Sequence, residues 1–251
     1  MSKFVTRGVV LRAVDYKETD RILTLLTPEG KVTAKARGVR RKGSPLAAAC
    51  QLLTHAELTL FSYRERCTVN EADPLDAFWG VRGDVELLSL GSYFAEVCET
   101  VGQEGVPQPE LLSLILNSLY ALDKLSKPQP LVKAAFDLKA ACLSGYEPML
   151  TACAVCGKEP ECPAFHLREG LLHCTACREQ VGEGISMPLT PAAAAAMRHV
   201  VYGDPKRLFS FTLDEGSMGK MGDACEAFLM TQLERGFHTL DFYKQIKTMP
   251  R

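Results

Sequence analysis

The sequence predicts an α+β fold, with a small N-terminal β-barrel followed by an α-helical domain that carries a small metal-binding insertion. Three observations support this prediction. About 75 residues at the start contain five short alternating segments separated by turn residues. From about residue 84 the apolar residues recur with the period of a helix. Two Cys-x-x-Cys pairs then interrupt the helical part of the chain.

Composition narrows the class of protein before any motif is considered. The chain has 251 residues, 47% of them hydrophobic and 24% charged, which is typical of a soluble globular protein of one to three domains. No apolar run reaches the roughly 20 residues that span a bilayer. The segment "MSKFVTRGVVLRAVDYKETD" lacks the apolar core of a signal peptide. These features predict a cytoplasmic protein with no membrane partner.

The barrel is predicted from five strand-like segments, which are "FVTRGVVLRAV", "TDRILTLLTPEG", "KVTAKARGV", "HAELTLFSYRE" and "CTVNEADPL". The Pro-Glu-Gly turn joins the second and third segments, so residues 20–38 form a hairpin. Five short strands in so few residues are typical of a closed barrel of the OB type. We therefore assign residues 1–80 to an OB barrel that binds nucleic acid.

Positive charge is concentrated in this barrel. Residues 1–43 contain 11 basic and 4 acidic residues, a net charge of +7, whereas the whole chain carries −1. The segment "GKVTAKARGVRRKG" holds six cations and no carboxylate. Such asymmetry indicates an anionic partner, although a solvated basic face that balances an acidic neighbour is the alternative.

Strand alternation indicates which side chains face that partner. In the third segment, Lys31, Thr33, Lys35 and Arg37 share the outer face, and Tyr63 lies outward in the fourth. Cations track phosphates and exposed rings stack on unpaired bases, whereas the alternative for Tyr63 is packing against the helices that follow. The predicted nucleic-acid-binding residues are Lys31, Lys35, Arg37, Arg40, Arg41, Lys42 and Tyr63.

Residues 81–251 are predicted to form the helical domain. Asp84 is a predicted N-cap, Pro109 a first-turn residue, and Thr190 with Pro191 begins an Ala-rich helix. A longer helix follows and stops near Gly236.

The cysteine pairs are the strongest chemical signal. Cys153 and Cys156 form one pair, Cys174 and Cys177 the second, and 17 residues separate the pairs. This spacing is typical of a structural Zn²⁺ site, in which four thiolates leave no position open for catalysis. An iron–sulfur cluster is the alternative.

Residues 150–182 are therefore predicted to be zinc knuckles inserted in the helical domain. Within this insertion, Cys162 and His166 are possible substitute ligands. The remaining five cysteines are expected to be small buried apolar residues.

No phosphate-binding loop, dinucleotide fingerprint, nucleophile motif or HExxH sequence is present, which disfavours an enzyme. No catalytic residue is predicted.

The order of parts resembles a known family. The segment "YKETDRILTLLTPEGKVTAKARGVR", a helical middle, "GYEPML" before the cysteine pairs, and a closing helix followed by "FHTLDFY" are similar to the bacterial RecO family of DNA-repair and recombination proteins. The resemblance covers essentially the full chain. One departure is at the C-terminal end, where the family has a Lys-rich "SLKFL"-like segment and this chain has "TLDFYKQI", with Asp241 in place of a cation.

The resemblance implies a recombination mediator. Members bind single- and double-stranded DNA, anneal complementary strands coated by single-strand-binding protein, and hold the acidic C-terminal tail of that protein. With RecR, and in many bacteria RecF, they help to load RecA. Two alternatives from other classes are an RNA-binding OB protein with zinc knuckles and an adaptor that binds an acidic peptide.

Overall fold

The computed structural model describes residues 2–64 and 66–249. The chain divides into two compact units, which we call the barrel unit (residues 1–125 and 237–251) and the knuckle unit (residues 126–236). These units are drawn differently from the predicted domains, 1–80 and 81–251, which remain a prediction. The difference arises because the first helices after the barrel and the last helix of the chain belong to the barrel unit.

Five strands form a closed barrel in the order β1-β2-β3-β5-β4. They are β1 (Ser2–Tyr16), β2 (Asp20–Thr27), β3 (Gly30–Ala36), β4 (His55–Tyr63) and β5 (Arg66–Asp76). Neighbouring strands are antiparallel except β3 and β5, which pair in parallel over Ala34–Ala36 and Cys67–Val69. The predicted α+β fold with an OB-type barrel is therefore confirmed.

Small and branched apolar side chains fill the barrel. Each strand contributes alternate residues, as period-two patterning requires, and Ala34 and Ala36 of β3 are buried while Arg37 is exposed. The segment between β3 and β4 adds Leu46, Ala49 and Cys50 to the same core. The interior is thus filled with side chains, and any ligand must bind the outer surface.

Within the described residues, seven α-helices follow the barrel. They are α1 (Trp79–Gly83), α2 (Val85–Val101), α3 (Pro109–Asp123), α4 (Gln129–Leu143), α5 (Pro191–Tyr202), α6 (Glu215–Leu233) and α7 (His238–Thr248). The predicted caps are present, since Asp84 accepts the N–H groups of Glu86 and Leu87 and Thr190 accepts that of Ala193. None of the described helices combines the length and apolar character needed to span a membrane.

Helix α7 returns to the barrel unit and packs on α2. The ring of Phe237, just before α7, meets Tyr93 of α2 edge-on with centroids 5.6 Å apart. Glu96 accepts the N–H of Thr239 at 3.0 Å. Asp241 lies in the first turn of α7, where a carboxylate is favoured by the helix dipole. This position accounts for an acidic residue in a segment that is Lys-rich in the family it resembles.

The knuckle unit combines α4, α5 and α6 with a three-stranded sheet. Its strands are β6 (Pro163–His166), β7 (Leu171–Cys174) and β8 (Ser186–Pro188), in the order β7-β6-β8. Phe165 of β6 packs edge-on against Phe228 of α6, with ring centroids 5.1 Å apart. The sheet, whose strand β7 ends at Cys174, therefore packs on the helical core of its own unit.

A buried ionic triad joins α4 to α6. The Lys133 ammonium lies 2.7 Å from Asp137 Oδ2 and 2.8 Å from Glu226 Oε2. Burial acts to lower the pKa of Lys133, but the two carboxylates raise it above the usual value, so the side chain stays charged. Removing the ammonium would take this counter-charge from the buried Asp137 carboxylate and from the half-buried Glu226 carboxylate.

We predict that Lys133→Met lowers the free energy of unfolding by about 3–5 kcal/mol, the usual cost of breaking a buried ion pair from one side. Urea denaturation at neutral pH measures the change. The matched control is Lys139→Met, because Lys139 is on the same helix and donates only to the carbonyl oxygen of Val201 at 3.3 Å. Equal, small losses in the two variants would contradict a stabilising role for the triad.

Candidate nucleic-acid interface and metal site

The C-terminal end of α2 and the residues that follow it contact the start of β3. The Lys31 ammonium donates to the backbone carbonyl of Glu99 at 2.8 Å, and Thr33 Oγ1 lies 3.3 Å from Glu104 Oε1. Lys31 is half-buried as a result. The structure therefore separates Lys31 from the other predicted cations, and two glutamates mark the end of the basic surface.

The other cations of the segment follow β3 in a short ordered turn, residues 37–42, which we call the basic loop. Gly38 adopts a φ of 65°, a conformation that favours glycine. Its N–H donates to Asp20 Oδ1 at 2.8 Å, and the N–H of Arg40 donates to the carbonyl of Thr19 at 2.9 Å. The β1–β2 turn thus holds the basic loop in one conformation before any ligand binds.

Four exposed cations project from this loop. They are Arg37, Arg40, Arg41 and Lys42. Arg40 pairs with Asp15 at 3.4 Å, whereas within residues 2–64 and 66–249 the other three make no ion pair. Their charges are available to an anion, and because they share one ordered loop they can engage neighbouring phosphates together.

Lys35 lies beside the loop but is held more firmly. Its ammonium is 2.9 Å from Asp20 Oδ2 and 4.8 Å from the centroid of the Tyr16 ring. The N–H of Gly38, and then Lys35, lower the pKa of Asp20 to about 2. Asp20 is therefore ionised at neutral pH and offsets part of the Lys35 charge.

The two rings near the basic surface have different positions. Tyr63 of β4 is exposed. It pairs with Arg66 of β5, and the next residue of β5, Cys67, pairs with Ala34 of β3. Tyr63 is therefore two strands away from β3, at the level of Thr33. Tyr16, the last residue of β1, lies against Lys35 within the basic surface. Sequence reasoning missed Tyr16, although the outward alternation of Arg12, Val14 and Tyr16 could have found it.

The four cysteines of the two pairs meet in one place. The sulfurs of Cys153, Cys156, Cys174 and Cys177 all lie within 4.8 Å of one another. Cys156 Sγ and Cys174 Sγ are 3.7 Å apart. Metal–sulfur bonds of about 2.3 Å in a tetrahedron separate sulfurs by about 3.8 Å, so the cluster fits a single metal ion.

Electrostatics also favour a cation at this cluster. Burial acts to raise the pKa of Cys153, but the backbone N–H groups of Cys156, Cys174 and Val155 lower it to about 6. Burial and the neighbouring sulfurs raise the pKa of Cys174 to about 12. The first thiolate forms readily and then opposes the ionisation of its neighbours, an opposition that a metal cation removes.

The two possible substitute ligands do not join the cluster. Cys162 is exposed, and its carbonyl accepts the hydroxyl of Thr175. His166 is fully buried, and its Nδ1 accepts the N–H of Glu169 at 3.1 Å. Neither is part of the group of metal-binding side chains found in the described residues.

A closed OB-type barrel with an exposed basic loop, together with a four-cysteine cluster that could hold a metal ion, defines the class of protein as an OB-barrel protein with a pair of cysteine knuckles. Two family models match this chain, "Recombination protein O N terminal" over residues 1–78 and "Recombination protein O C terminal" over residues 82–241. The chain belongs to the RecO family of DNA-repair proteins, as the sequence resemblance predicted.

Individual relatives match over nearly the whole chain. The DNA repair protein RecO of Acetivibrio thermocellus is 32% identical over 254 residues, which cover 100% of this chain and 99% of the relative. The DNA repair protein RecO of Anaeromyxobacter sp. strain K is 33% identical, with 98% of each chain covered. That of Heliobacterium modesticaldum is 35% identical over 83% of this chain and 77% of its own length.

The lowered pKa of Asp20 generates a prediction about pH. In the unfolded chain an aspartate titrates near 4, so ionised Asp20 stabilises the folded hairpin above about pH 4, and this contribution is lost as the pH falls through about 2. We expect carboxyl ¹³C NMR to give Asp20 a midpoint near 2 in the full chain. Lys35→Met is expected to raise the midpoint only partly, because the larger cause, the Gly38 N–H, remains. A normal midpoint for Asp20 would contradict the described loop.

Proposed function

We propose that the protein is a recombination mediator in DNA repair that acts without catalysing covalent chemistry. It binds single- and double-stranded DNA, anneals complementary strands coated by single-strand-binding protein, and promotes the loading of RecA with RecR and, where present, RecF. The observation that carries the proposal is the ordered basic loop on a RecO-family barrel. Its expected place of action is the cytoplasm, at the nucleoid.

The basic loop suits this function because its contacts are independent of base sequence. Arg37, Arg41 and Lys42 would replace counterions on phosphates, which supplies affinity for any stretch of DNA. A mediator that acts wherever DNA is damaged needs this kind of affinity. Among the remaining predicted residues, Lys35 supports the loop through Asp20, and Arg40 supports it through Asp15.

The acidic tail of single-strand-binding protein and RecR are proposed as protein partners on family grounds. An acidic peptide and RNA are the competing ligands for the same cations. Competition of an acidic peptide and of RNA against labelled single-stranded DNA separates these possibilities, and we expect DNA to be displaced least by the peptide.

We further propose that Zn²⁺ occupies the four-cysteine cluster. When bound, the ion would link the two knuckles through four thiolates and leave no ligand position for catalysis. Its role in this chain would be to hold the β6–β7 hairpin and the adjoining turn in place. DNA binding would then remain with the barrel unit.

The first prediction concerns the salt dependence of DNA binding. Arg37→Ala with Arg41→Ala is expected to weaken binding to oligo(dT) and to reduce the slope of log affinity against log salt by about 1.4, since each contact to a single strand contributes about 0.7. Lys35 is left unchanged in this variant, because its ammonium pairs with Asp20, which holds the loop in place. Fluorescence anisotropy at several salt concentrations measures the slope.

The matched control for this experiment is Lys206→Ala with Arg207→Ala, which removes two exposed positive charges from the knuckle unit. We expect the control to keep the wild-type slope. An unchanged slope in the Arg37 and Arg41 variant would assign the basic loop to another partner, an acidic protein segment above all.

The second prediction concerns the metal. Anaerobically purified protein is expected to contain one zinc per chain, and Cys174→Ser is expected to lose the zinc and melt at a lower temperature. The control is Cys67→Ser, a half-buried thiol of the barrel outside the cluster. A zinc content below half an equivalent in the wild-type protein, measured by elemental analysis, would count decisively against the proposal.

A further inference from the structure

Tyr16 occupies the centre of the basic surface. It is the last residue of β1 and pairs with Asp20 across the β1–β2 hairpin, so it shares the outer face with Ile22 and Lys35 of the next strands. Tyr16 is 42% exposed. Lys35 Nζ lies 4.8 Å and Lys17 Nζ 5.6 Å from the ring centroid. An exposed ring therefore contacts two cations, opposite Asp20, beside the position where the basic loop begins.

The fold does not require this ring. Tyr16 is outside the barrel core, and within the described residues its hydroxyl has no hydrogen-bond partner. The hydroxyl of a buried tyrosine normally finds a hydrogen-bond partner in the protein, whereas an exposed tyrosine does not need one. Its contacts with Lys35 and Lys17 are to the ring itself. The face of the Tyr16 ring is therefore available for contact with a ligand.

We propose that Tyr16 stacks on an unpaired base and thereby makes this interface bind single-stranded DNA more tightly than duplex DNA. The inference rests on the proposed function, since the basic loop must first hold the phosphates. Stacking on an aromatic side chain needs a base whose face is free, which a duplex does not offer. Phosphate contacts alone do not distinguish strands in this way.

The surroundings of the ring fit this role. Asp20 fixes Lys35 at 2.9 Å, so one cation is held against the ring. Lys17 is exposed and forms no ion pair within the described ranges, so it can move to a phosphate when a base arrives. Arg37 is the first residue after β3 and is exposed. A nucleotide on Tyr16 would thus have cations on both sides for its flanking phosphates.

Tyr63 is the competing candidate, and its position is less favourable. Arg64 lies 5.2 Å from its ring centroid, but the ring is at the level of Thr33, where Glu104 borders the face. With strands about 4.8 Å apart and residues about 3.3 Å apart, Tyr63 lies roughly 16 Å from Arg37. Only Tyr16 places a ring directly beside the ordered loop.

The test compares three probes of equal length: oligo(dT), the same backbone with abasic residues, and a duplex. Tyr16→Ala is expected to weaken oligo(dT) binding about tenfold, within the range for loss of one stacked base. Binding to the abasic strand and to duplex should stay within about twofold, and the salt slope should not change, because stacking releases no counterions. Tyr16→Phe should restore oligo(dT) binding, because the hydroxyl is not used.

The control is Tyr120→Ala, a tyrosine of α3 with 48% exposure, which should bind all three probes like the wild type. An equal loss on abasic and normal strands, no loss on oligo(dT), or a larger loss in Tyr63→Ala would overturn the assignment to Tyr16. The proposed function is tested separately by the Arg37→Ala with Arg41→Ala variant, and normal DNA binding by that variant would contradict it.

A spectroscopic variant reports on the stacking directly. Trp79 is the single tryptophan and is 74% exposed, so Trp79→Phe removes the protein's tryptophan fluorescence. In that background Tyr16→Trp should show fluorescence quenching with oligo(dT) and none with duplex or abasic DNA. Unchanged emission while labelled oligo(dT) binds would contradict stacking at this position.

Discussion

Closure of the barrel between β3 and β5 is the constraint on which the rest of the structure depends. Only three residues of each strand pair in parallel there, and the small side chains of Ala34 and Ala36 fill the interior at that point. A slip of one residue in β3 would turn Lys35 inward and an alanine outward. Closure therefore fixes the register of β3 and places the basic loop beside the β1–β2 turn. The outward direction of Lys35 follows from this register, and the loop that begins at Arg37 is then held by its bonds to Thr19 and Asp20.

Within that frame, one carboxylate orders a positively charged surface. Asp20 accepts the N–H of Gly38 and pairs with Lys35, so it offsets one positive charge and in return holds the loop in a single conformation. A loop ordered in advance loses less conformational entropy when DNA binds. The free cations, Arg37, Arg41 and Lys42, are then presented together. This arrangement joins the stability of the hairpin to the affinity of the interface.

Features set by local pattern could be predicted from the sequence, and features set by distant contacts could not. Alternation predicted the barrel and the outer face of β3, and spacing predicted the cluster that includes Cys153 and Cys174. The hydrogen bond from Lys31 to the carbonyl of Glu99 joins residues 68 apart in the sequence, so no local pattern predicts it. Helix α7 likewise packs on α2 through Phe237, a contact between residues far apart in the sequence. Tyr16 was accessible to sequence reasoning but lies at the end of β1, with β2 between it and the charged segment.

We propose that DNA binds the barrel at the basic loop and at Tyr16. The most direct test is amide NMR of the ¹⁵N-labelled full chain titrated with unlabelled oligo(dT). Shift changes are expected to concentrate in residues 16–20 and 35–42. Lys31, whose ammonium donates to the carbonyl of Glu99, should change little. Changes confined to residues 126–236, with 16–42 unaffected, would show that DNA binds elsewhere on the protein.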